Sequence, residues 1–148
     1  MGENRTKICD LKMRMGKIAM NEELKNKCLR AVEKVREEYP ELTYYSIRCM
    51  SDKWMGGSKA SCDSNAVIYV NMEKEDLISD HEALSFVILH EMCHIRKGHH
   101  KKDYSKLSPE EKFKDEDEAD DCVADILVKH GKTPEEMLRM YDKAHGFY

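Results

Sequence analysis

The chain has no run of about 18 apolar residues, so nothing in it reads as a membrane-spanning helix. Aromatic residues make up only 7% of it, too few for a surface that stacks nucleic-acid bases. Lysine and arginine do not exceed the acids, and the net charge of −4 offers no basic footprint for direct nucleic-acid binding. The N-terminus has no apolar h-region, so no secretory signal is expected and the reading is cytoplasmic. Its Met-Gly-x-x-x-Thr start, ending at Thr6, fits a short and common myristoylation pattern. The six cysteines contain no C-x-x-C pair, which excludes a zinc knuckle. Without a signal peptide they are expected to be reduced, mostly buried thiols rather than a disulfide framework. There is no internal repeat, low-complexity tract or Pro/Gly-rich linker to divide the chain.

What is present suits one domain of 148 residues, 41% hydrophobic and 36% charged. Residues 1–20 are polar and mixed in charge, and read as an N-terminal arm; the domain is taken as 21–148. Asn21 is a candidate N-cap for a helix striped by Leu24, Cys28, Val32, Val35 and Tyr39 and ended by Pro40. Tyr44 to Cys49 and Ala66 to Val70 suit strands, separated by turn residues at Trp54-Met55-Gly56-Gly57. They imply a small, mainly antiparallel sheet.

Three helix starts follow. Ser79-x-x-Glu82 reads as a capping box for a helix running to Lys97, with Gly98 as its C-cap. Ser108-Pro109 and Thr133-Pro134 each combine an N-cap, a proline at the first helical position and a glutamate two residues beyond it. Gly131 closes the helix between them. The order of helix, sheet and three helices gives an α+β domain.

The chemistry lies in His90-Glu91-Met92-Cys93-His94, the pattern H-E-x-x-H. On a helix, positions i and i+4 share a face, so both imidazoles reach one ion. Glu91 sits about 100° round the helix, placed to act as base on a water at the open coordination position. Zinc is the expected cofactor. The bland alternative is a surface helix with ordinary polar neighbours. Against it, the motif continues an apolar stretch, Ala83 to Leu89, where unpartnered His and Glu would cost several kcal/mol.

A catalytic zinc needs a third protein ligand. His100 stands where metzincins carry a third histidine, but Lys97 occupies the position where that motif turns on glycine. The other candidate is on the helix holding Asp115-Glu116-Asp117-Glu118-Ala119-Asp120-Asp121. Most of these carboxylates read as a solvated face, but Glu116 shares a stripe with Asp120, Val123 and Leu127. Glu116 is therefore the favoured ligand, with Asp120 orienting a ligand imidazole. His99 and His100 read as a solvated pair, and Cys93 as a packed thiol.

H-E-M-C-H-I-R-K-G-H-H followed by E-D-E-A-D-D-C-V-A-D-I-L resembles the paired motifs of ImmA/IrrE-type gluzincins. The resemblance covers about Met50 to Val128 and implies a zincin-like fold with His90, His94 and Glu116 as metal ligands and Glu91 as base. It also implies that the strand around Ile68 to Val70 edges the cleft and holds an extended peptide by β-augmentation. The implied partner is a protein or peptide substrate, such as a transcriptional repressor of a phage or mobile element. Val123 stands where Phe is usual, and Met92-Cys93 replaces the common Leu-Gly; neither removes a functional group. Two rivals are a zinc-binding antirepressor or docking module with little turnover, and a metal-free helical interaction domain. Glu91 argues against the first, since a purely structural site needs no base.

Overall fold

The computed structural model describes residues 2–146, with side chains from Lys7 onward. The start of the myristoylation pattern therefore lies outside the described residues. The first helix, α1, spans Gly2–Glu38. It is helical through residues 2–20 and does not begin at Asn21. Nothing from residue 7 to residue 20 is buried, and Ile8, Leu11, Met15 and Ile18 are more than half exposed. The expected stripe is the half that packs: Cys28, Val32, Val35 and Tyr39 are buried and Leu24 partly so. Pro40 cannot continue the helix and instead opens a 3₁₀ turn over Pro40–Leu42.

Strand β1 is Ser46–Met50, followed by a short helix, α2, at Asp52–Met55. Ser51 caps α2 by accepting from the Trp54 N–H, and Gly56 leaves it with φ +62°. Strands β2 (Ala60–Cys62) and β3 (Val67–Asn71) follow. The sheet order is β1-β3-β2, with β1 parallel and β2 antiparallel to β3. The sheet is thus mixed, and the mainly antiparallel expectation is corrected. A third strand was hidden in Ala-Ser-Cys, which has no β-branched residue to announce it. Its presence turns the chain once more, so β3 runs alongside β1 in the same direction. It also makes β3 the central strand, paired on both sides, so the sheet's edges are β1 and β2 and not Ile68–Val70.

After a turn of helix at Glu75–Ile78 (α3) comes α4, His81–Arg96. Its cap is Asp80, whose carboxylate accepts from the Ala83 N–H at 3.2 Å, one residue later than the expected Ser79. Ala83 to Leu89 are all buried, because α4 meets α1, α3, the sheet and two later helices. Each fully buried leucine or isoleucine there contributes roughly 1.5–3 kcal/mol. Helix α5 is Pro109–Lys129, capped by Ser108, and α6 is Pro134–Gly146, opened by a reciprocal box between Thr133 and Glu136. Both starts lie where the sequence placed them. Gly131, at φ +76°, ends the turn after α5. None of the described helices is long and apolar enough to cross a membrane.

The cysteines depart from expectation. Cys28 pairs with Cys49, tying α1 to β1, and Cys93 pairs with Cys122, tying α4 to α5. Their Cα separations of 6.2 and 5.9 Å fall in the range a disulfide spans. Only Cys9 and Cys62 remain free. Packing aligned partners 21 and 29 residues apart, a relation that spacing along the chain does not display.

Candidate metal centre

Helix α4 presents His90 and His94 one turn apart, 8% and 6% exposed, with their Nε2 atoms 2.9 Å from each other. Helix α5 lies across them and brings Glu116 over the pair. Glu116 Oε2 is 2.8 Å from His90 Nε2, and Oε1 is 3.2 Å from His94 Nε2. In a tetrahedral zinc site with bonds near 2.0–2.1 Å, neighbouring donor atoms are about 3.3 Å apart. The three donors therefore converge at nearly the separation an ion requires, and their types, two imidazoles and a carboxylate, suit zinc. His100 is not part of this convergence; its Nδ1 is buried without a hydrogen-bond partner among the described residues.

Without a metal, this much negative charge draws a proton to the His90 imidazole. Burial works to lower the His90 pKa, but hydrogen bonds to Asp120 and Glu116 outweigh it and bring it up to about 10. Burial likewise works to raise the Glu116 carboxyl, yet the two imidazoles hold it well below the usual carboxylate range. Asp120, one turn beyond Glu116, accepts from His90 Nδ1 at 2.8 Å, as its place on the stripe suggested.

Glu91 points between α4 and the edge strand. Burial pushes its carboxyl upward against the pull of His90 and His94, and the Cys62 thiol on β2 hydrogen-bonds to it. The same contact, added to burial, pushes the Cys62 thiol up, so it stays protonated. Two cavities flank this carboxylate and share Ala60, Glu91 and Glu116 as walls. One continues over Phe86, Val87, Phe113 and Tyr141; the other continues over Cys62, His100, Lys102 and Tyr104. Together they form a cleft along β2 with the candidate ligands at its middle.

Three residues at the centre were not anticipated from the sequence. Tyr104 lies in a 3₁₀ turn at Tyr104–Lys106 and donates its hydroxyl to Glu116 Oε1 at 3.1 Å. Nothing in the local pattern marks it. His99 is not solvated but 2% exposed, because Gly98 at φ +75° folds the chain back beneath His94. Asp115, read as part of a solvated face, is also 2% exposed and is paired with Lys102 at 3.0 Å. The i, i+4 relation of Asp115 to the buried Ala119 was the available signal.

Among known proteins, the family model described as YgjP-like, metallopeptidase domain, matches residues 8–110. That stretch contains His90, Glu91 and His94 and stops short of Glu116. No curated protein and no solved structure matches the chain.

Proposed function

The chain belongs to the YgjP-like metallopeptidase family, and from that premise we propose that it is a zinc-dependent endopeptidase of the gluzincin type. The observation that carries this reading is the convergence of His90 Nε2, His94 Nε2 and Glu116 beside Glu91, at the middle of an open cleft. A zinc ion held by those three residues would supply Lewis-acid polarisation of the scissile carbonyl and make an attacking water more acidic. Glu91 takes the proton of that water and delivers it to the leaving amine. Tyr104, already a donor towards Glu116, is the hydroxyl placed to hydrogen-bond the oxygen that gains charge. An extended peptide lies along the free edge of β2, with a large apolar side chain against Phe86, Phe113 and Tyr141. The likeness to ImmA/IrrE-type proteins supports a regulatory protein, such as a phage or mobile-element repressor, as the substrate.

One observation favours a second reading, a zinc-binding module of low turnover. Glu91 is engaged by the Cys62 thiol on β2, a contact that competes with a water for its carboxylate. Glu91→Gln separates the two. With zinc retained, the substitution should reduce peptide hydrolysis by at least about 100-fold in the enzyme reading. Full cleavage by that variant would refute catalysis by Glu91. Zinc content of Glu116→Ala tests the third ligand: loss of zinc supports it, and unchanged zinc redirects the assignment to His100 or Glu118. A wild-type protein that takes up no metal on remetallation removes the basis of both readings.

A further inference from the structure

Both ring nitrogens of His99 have partners. Its Nδ1 lies 3.0 Å from Nδ1 of His94, and its Nε2 lies 2.9 Å from Glu118 Oε2 and 3.5 Å from Asp115 Oδ1. Asp115 is itself bridged by Lys102 Nζ, at 3.0 and 3.1 Å from its two oxygens. His99, Asp115 and Glu118 also lie close enough to hold a cation between them. The hydrogen positions allow only one of these uses. If His94 offers the lone pair of Nε2 to a metal, its Nδ1 carries the hydrogen, so His99 Nδ1 must accept it. A neutral imidazole accepting at Nδ1 has its hydrogen on Nε2 and donates it to the carboxylates. That nitrogen then has no lone pair for a second ion, and the Lys102 ammonium already balances Asp115.

We propose that His99 is a positioning residue: the middle link of a hydrogen-bond chain from His94 through His99 to Glu118 and Asp115. The chain fixes the tautomer and ring angle of His94 and makes it a better metal donor. It rests on the zinc reading above. The two imidazoles of the centre are then held by different devices. Asp120 grips His90 directly, whereas His94 is gripped through a second ring, because no carboxylate of α5 contacts its Nδ1 among the described residues.

The test is cobalt and zinc affinity by chelator competition, with cobalt absorption spectra, for wild type, His99→Phe, His99→Gln and Glu118→Ala. His99→Phe should weaken binding by about 10–100-fold and shift the cobalt bands. His99→Gln should recover most of the loss, because its side-chain carbonyl can accept from His94. Glu118 is 42% exposed, so Glu118→Ala threatens the fold least and should give a smaller loss in the same direction. If His99→Phe fails to fold, the glutamine and Glu118 variants decide. Unchanged affinity and spectra in the folded variants overturn the proposal while leaving the zinc reading intact. Two ions per chain, one of them lost in Glu118→Ala, overturn it in favour of a second cation site. A wild type that binds neither metal overturns the zinc reading and this inference together.

Discussion

Asp120 and Glu116 hold the His90 ring from opposite ends: Oδ1 of Asp120 is 2.8 Å from Nδ1, and Oε2 of Glu116 is 2.8 Å from Nε2. The two acids are one turn apart on α5, so a single helix face supplies both the partner of Nδ1 and the candidate ligand opposite it. Asp120→Ala should therefore weaken zinc binding by about 10–100-fold with little change in secondary structure. Asp120→Asn, which keeps an acceptor, should lose less. Equal zinc affinity in Asp120→Ala, measured by chelator competition, would show that the ring needs no such hold.

The proton dependence of the metal-free protein has a definite sign. His90 is raised from 6.5 to about 10, so the stability its imidazolium contributes is fully present below about pH 6.5 and is lost towards pH 10. Glu116 is depressed from 4.5, so its contribution is present above that value and is lost as pH falls below it. The melting temperature of the apoprotein should thus fall between pH 6 and pH 8.5. Zinc affinity should rise over the same interval, since the ligands must shed protons to bind. An apoprotein melting temperature that holds level or climbs from pH 6 to pH 8.5 contradicts this.

The free edge of β2 offers a substitution that leaves the sheet ladder alone. Asn71 N–H donates to Lys59 C=O and Asp63 N–H to Val67 C=O, so by alternation the N–H of Ala60 points away from β3. Ala60→Pro removes that outward donor at an edge position where proline is tolerated. It should lower kcat/KM for an extended peptide by roughly 3–10-fold, the worth of one hydrogen bond, with zinc content unchanged. Undiminished kcat/KM would place the substrate elsewhere than on this edge.

Cysteine pairing is readable by mass spectrometry after alkylation. Two of the six thiols, Cys9 and Cys62, should react before reduction, and all six after reduction and unfolding. Cys9 is exposed and should react promptly. Cys62 should lag well behind it, because burial and the neighbouring Glu91 keep its sulfur protonated. Six thiols alkylated in the native protein would contradict both pairs.

Much of the centre could be read from the chain because helical periodicity links neighbours in sequence to neighbours in space. The spacing of His90 and His94, the stripe that singled out Glu116, and the proline-marked starts at Ser108 and Thr133 are all local relations. The missing parts are those that only packing decides. Strand β2 carries three small residues and exists because β3 is there to pair with it. The helical arm before Asn21 has no buried face to write a pattern. His99 is buried by the turn at Gly98, and its partners Asp115 and Glu118 arrive from a helix whose orientation no spacing reveals. The cysteine pairs join elements that are distant in sequence in the same way.

The bond between Cys93 and Cys122 gives the centre a covalent property as well as a geometric one. It joins residues 29 apart in sequence and closes a ring that includes His94, His99, Tyr104, Glu116 and Asp120, with His90 and Glu91 just outside. Closing a loop of this length costs the unfolded chain entropy worth about 3–4 kcal/mol. The ring also limits how far His94 and Glu116 can separate when the rest of the chain is disordered, whether or not an ion is bound. This part of the fold is thus held by a covalent bond that needs no ion, and a chelator that removes any bound metal should leave most of the architecture standing.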